Sequence, residues 1–111
     1  MNSRELDILV AERVMGVYVL EHDIYNLEYV KEKPSAKRQT LHPLPYYSTN
    51  IAAAQEILNK LYTCDFCLDR TQGVYRCNFG LQDKYEEWVS AETLPLAICL
   101  AALKAVGVSV K

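Results

Sequence analysis

TLPLAICLAALKAV, Thr93 to Val106, is the stretch on which the fold turns. Only Lys104 is charged in it, and Thr93, Pro95 and Gly107 sit where an N-cap, a tolerant first-turn proline and a helix stop belong. It therefore reads as one helix, apolar around its whole circumference, and such a helix is covered on every side. Ala97, Ala101 and Ala105 form a narrow row at i, i+4 and i+8 that admits a close neighbour, while Leu96, Leu100 and Leu103 make the bulky face. A helix covered all round serves as a spine, with other layers on either side.

Working outward, the flanking segments supply those layers. Ser3–Met15 reads as a first helix, with Asn2 as cap, Glu5 in capping-box position and Gly16 as exit. Its apolar residues cover more than half of its circumference, and Asp7 falls inside that arc. Two readings of Asp7 stand: a first-turn carboxylate at the rim, favoured by the helix dipole, or a buried pairing or interface partner. Thr49–Leu61 reads as a second helix capped by Ser48, with Ile51, Ala54, Ile57, Leu58 and Leu61 within an arc of about 120°. Strands are expected at Val17–Leu20 and Ile24–Val30, at Thr63–Leu68 and Val74–Phe79 around a turn ending in Gly73, and at Tyr85–Ser90. Lys31–Pro45, which holds Pro34, Pro43 and Pro45, reads as a long loop. The expected fold is α+β, a three-layer α/β/α sandwich in the order α-β-β-α-β-β-β-α with a largely antiparallel sheet, forming one domain over residues 1–111.

Three blocks match a known family: RELDILVAERVMG (Arg4 to Gly16), LPYYSTNIAAAQEIL (Leu44 to Leu58) and AETLPLAICLAALKAVG (Ala91 to Gly107). In these the chain resembles the phage ABA sandwich domain family, small proteins encoded by bacteriophages and prophages. The resemblance implies an α/β/α sandwich, a phage or prophage origin and residence in the bacterial cytoplasm; it implies no established activity. The chain departs from the family pattern at Val17 and Tyr18, where aromatic residues often stand, at Asn50, where aspartate is common, and at Gln55, where tryptophan is common.

Composition excludes several classes. With 111 residues, 50% hydrophobic and 23% charged, the chain is neither disordered nor repetitive. A net charge of −2 gives no drive towards nucleic acid or an acidic membrane. No apolar run is long enough for a membrane span, and MNSRELDI is too polar for a signal peptide, so the expectation is cytoplasmic. The four cysteines are then expected as thiols.

Candidate chemistry is sparse. On a strand, Cys64 and Cys67 face opposite sides and cannot share a metal, and His22 and His42 lie apart, so neither metal nor cofactor is expected. Ser48 and Ser90 lack a nucleophile elbow, and Glu86 and Glu87 are adjacent on a strand and face opposite ways. The four glycines are isolated, which excludes a phosphate loop. No catalytic residue is assigned. Lys31, Lys33, Lys37 and Arg38 lack an interleaved aromatic platform and read as a solvated loop.

One constellation points to binding: Pro45-Tyr46-Tyr47-Ser48-Thr49-Asn50, two aromatics leading into a helix N-terminus. Helix N-termini suit anions, and tyrosines stack on bases. The candidate ligand-binding residues are Tyr46, Tyr47, Ser48, Thr49, Asn50 and Trp88, the last being a pocket wall or a core residue. The same pattern is equally that of an aromatic staple and a cap. The function expected is non-enzymatic: sequestration of a small anionic, nucleotide-derived ligand to counter host defence. The alternative is a module binding a host or phage protein or itself. The extensive burial of the first helix favours a homodimer.

Overall fold

A computed structural model describes residues 2–21, 27–32, 40–61, 66–71, 73–79 and 89–108. The fold is α+β. Helix α1 (Ser3–Leu9) continues without a break into a π-helical segment (Val10–Met15), followed by β1 (Tyr18–Glu21), β2 (Leu27–Val30), β3 (His42–Pro43), α2 (Ile51–Lys60), β4 (Phe66–Thr71), β5 (Val74–Phe79), β6 (Val89–Ala91) and α3 (Leu94–Ala105).

The strands pair antiparallel, as expected, but in two sheets of three among the described residues, β1-β2-β3 and β4-β5-β6. In the first, Tyr18 stands opposite Val30 and Tyr29 opposite His42. In the second, Thr71 pairs with Val74 and Cys77 with Val89. Strand β3 lies inside the segment expected to be a loop. Its His42 ring stacks on Tyr29 with centroids 5.0 Å apart, and Leu44 N–H donates to Leu27 C=O at 2.9 Å. Pro43 has no N–H to give, which suits this short strand at a sheet edge. Asp69 and Arg70, which read as turn residues, instead pair with Arg76 and Tyr75. The connection is therefore shorter than expected, and Gly73 stands in it at φ 80°.

Helix α3 fulfils its role as spine. Ala97, Ile98, Cys99, Ala101, Ala102 and Leu103 are buried, and the helix packs against α2, the π-helical segment, β5 and β6. Its last turn departs from the all-round burial expected, since Lys104, Ala105 and Val106 are exposed. The helix ends in a Schellman motif: Val108 N–H donates to Leu103 C=O at 2.9 Å and Gly107 N–H to Lys104 C=O at 3.0 Å. Gly107 supplies the left-handed φ of 86° that this motif needs.

The π-helical segment suits the residue spacing. Leu6, Asp7, Val10, Ala11 and Val14 are all buried, and they recur every four residues. An α-helix turns 100° per residue, so a strict spacing of four drifts steadily around its axis. Widening to i→i+5 bonds lowers the rotation per residue and keeps the stripe in line. Gly16, at φ 72°, then closes the segment through its N–H to Ala11 C=O.

Candidate functional site

The candidate segment is held to α1 by a polar node. Asp7 is fully buried, and its two carboxylate oxygens are both engaged: Oδ2 accepts from Arg4 Nη1 at 2.8 Å and Oδ1 from Ser48 N–H at 2.8 Å. The buried reading of Asp7 is therefore the one found. Arg4, its side chain 23% exposed, spends its remaining fork on two carbonyls, Pro45 at 3.2 Å and Leu44 at 3.1 Å. Ser48 Oγ donates to Ser3 C=O at 3.2 Å. One arginine and one carboxylate thus clamp residues 44–48 onto the first turns of α1.

Ser48 is not the cap of α2. The helix starts two residues later than expected, and Asn50 caps it, with Oδ1 accepting from Ala53 N–H at 3.1 Å. The intervening turn is closed by Asn50 N–H to Tyr46 C=O at 2.8 Å. Ser48 N–H is committed to Asp7, so Ser48 lies in this turn and Asn50 takes the role that serine and asparagine fill equally well.

The two tyrosines part company. Tyr47 is 2% exposed and belongs to the core with Leu44, Ala54 and Ile57. Burial, reinforced by Glu56, Tyr29 and Asp7, pushes its hydroxyl well above the ordinary range of a tyrosine. Tyr46 is 56% exposed, and the Arg4 guanidinium lies over one face of its ring, Cζ 4.0 Å from the centroid. Thr49 and Asn50 are exposed, Ser48 is buried, and Trp88 lies outside the described residues. The structure thus brings Tyr46, Thr49 and Asn50 to one accessible turn and withdraws Tyr47 and Ser48 from the surface. The expected anion seat at the start of α2 is partly filled by the chain's own Asn50 side chain.

Sequence reasoning missed Arg4, which orders the turn, although its i, i+3 spacing to Asp7 on α1 was a readable signal. It also missed an open cleft of about 400 Å³ lined by Glu12, Arg13, Val17, Tyr18 and Val19, where the π-helical segment meets β1. No local pattern announces that cleft, because it depends on how helix and strand diverge after Gly16.

Among the described residues no three His, Cys, Asp or Glu side chains gather as a metal site would require. Cys77 and Cys99 are both buried in the core, and Cys64 lies outside the described residues. Burial first, and then Asp7 and Cys77, hold the Cys99 thiol far above its ordinary pKa and therefore protonated. Among the described residues no helix is long and apolar enough to cross a membrane.

The family model of the phage ABA sandwich domain matches residues 8–103. A crystal structure of a phage protein from Bacillus cereus ATCC 14579 is similar over 100% of this chain and 93% of that one, with a TM-score of 0.75 and 24% identity. That likeness concerns the fold. No curated protein matches the chain.

Proposed function

Because the chain belongs to the phage ABA sandwich domain family, we propose that it is a non-enzymatic phage accessory protein that acts by binding, sequestering a small anionic, nucleotide-type ligand in the host cytoplasm and so countering host defence. The observation that carries this reading is the Arg4–Tyr46 stack. A guanidinium covers one face of the ring while the residue stays 56% exposed, which leaves the opposite face for a ligand, and Thr49 and Asn50 of the same turn are exposed. The polar groups behind the turn are committed to one another, so its shape is set before a ligand arrives, and ordering costs on binding are small. A base stacking on the open face of Tyr46 gains about 1–3 kcal/mol.

A second reading, docking of a host or phage protein, is favoured by the exposure of Leu41 and Ile51, five residues before and after Tyr46 in the sequence. Exposed aromatic and aliphatic residues on a fixed backbone are typical anchors of protein interfaces. Self-association belongs to the proposal as well. Light scattering that returns a monomer would remove it.

A thermal melt of the purified protein against a panel of cyclic and ADP-ribose-type nucleotides tests the first reading. A ligand at one hundred times its Kd adds about 2.7 kcal/mol, which raises Tm by roughly 10 °C in a domain of this size. No shift with any nucleotide would leave the protein-docking reading standing in its place.

A further inference from the structure

We infer that the cleft between the π-helical segment and β1 is a second, separate binding site, for a small planar ring that carries an anionic group. The inference goes beyond the Tyr46 reading, since the cleft lies at the opposite end of the first helix. Its volume of about 400 Å³ falls in the usual range of small-molecule sites, roughly 300–1,000 Å³. Arg13 and Glu12, both exposed, stand on the last turns of the helix. The planar fork of Arg13 suits a ligand carboxylate or phosphate. Tyr18 is 38% exposed at the same rim and offers a ring face, while Val17 and Val19 provide apolar wall.

The lining also includes Val17 and the first two residues of β1, Tyr18 and Val19. The Glu12 carboxylate would accept from the donors of a heterocycle. The π-helical segment, whose i→i+5 bonds make a wider turn, carries Glu12 and Arg13 to this position; such segments recur at functional sites.

The test is an amide chemical-shift titration of the full chain with adenosine 5′-monophosphate, with adenosine and inorganic phosphate run separately. The expected result is saturable shifts in residues 12–19 with the nucleotide, and much weaker response to ring or phosphate alone. Arg13→Gln and Tyr18→Val should each weaken binding by roughly tenfold while leaving the Tyr46 response as it was. Three outcomes overturn the site: no saturable shift in residues 12–19, shifts there that Arg13→Gln leaves unchanged, or shifts confined to residues 46–50. A fourth would do so too, namely movement of residues 17–19 with protein concentration alone, which would assign the β1 edge to a second copy of the chain.

Discussion

Replacing Asp7 by alanine is the most searching perturbation of the node that shapes the candidate turn. Two separate losses follow. Ser48 N–H, in a residue 3% exposed, loses its acceptor, and a buried amide left without a partner costs about 1–3 kcal/mol. Arg4 loses its counter-charge, and breaking a buried pair costs about 3–5 kcal/mol when the survivor is wholly desolvated. Here the arginine is 23% exposed and keeps the carbonyls of Leu44 and Pro45, so the lower end applies and the two losses overlap. The expected total is about 3 kcal/mol, which lowers Tm by roughly 12 °C for a chain of this length. Urea denaturation should show a reduced midpoint with an unchanged slope. Asp7→Asn should cost less, about 1–2 kcal/mol, because an amide oxygen still accepts from Ser48 N–H. The double variant Arg4→Met with Asp7→Leu should recover only the part of the loss that comes from the unpaired arginine, because Ser48 N–H still lacks its acceptor. An Asp7→Ala cost below about 1 kcal/mol, the level of an exposed pair, would refute the buried node.

The remaining expectations use the same chemistry. Asn50→Ala removes the cap of α2 and should cost about 1 kcal/mol in chemical denaturation, whereas Ser48→Ala should cost less, because its N–H bond to Asp7 survives; the reverse ranking would restore Ser48 as the cap. Gly107→Ala should cost about 1 kcal/mol, since the Schellman turn holds that residue at φ 86°; an unchanged midpoint would contradict it. Cys99 and Tyr47 have folded-state pKa values raised by burial. The unfolded chain therefore releases these protons first, and stability is full below pH 9 and falls as pH rises past about 9 and then about 10. Tyr47→Phe should flatten the upper part of that fall in denaturation curves measured across the alkaline range, and an unflattened fall would contradict the buried hydroxyl.

What was legible before the structure divides along the distance over which each feature is decided. The spine helix was readable because its burial is written in its own composition, and both its start at Thr93 and its stop at Gly107 are local. The same holds for Asn2 as a cap, whose Oδ1 accepts from Glu5 N–H at 2.8 Å. Asp7 was visible as an anomaly in an apolar arc, but its partner Ser48 is 41 residues away and nothing local selects it. That one long-range bond also moved the cap of α2 from Ser48 to Asn50, since both are good caps by type. Tyr46 and Tyr47 are identical side chains in adjacent positions, and only the direction of the clamped backbone decides that one is core and the other surface. The four-residue spacing behind the π-helical segment was in the sequence, but the same spacing also fits an ordinary amphipathic helix. Strand β3 rests on a pairing between Tyr29 and His42 across a long connection, which no period-2 pattern of two residues can announce.

The central claim is that the open face of Tyr46 is the binding surface. Calorimetric titration of wild type and Tyr46→Ala with the cyclic or ADP-ribose-type nucleotide that most raises the melting temperature tests it directly. Loss of one stacked base is about 1–3 kcal/mol, so the variant should bind roughly tenfold to a hundredfold more weakly while its unliganded stability falls little. Equal affinity in the two proteins would contradict the claim and place the ligand elsewhere on the molecule.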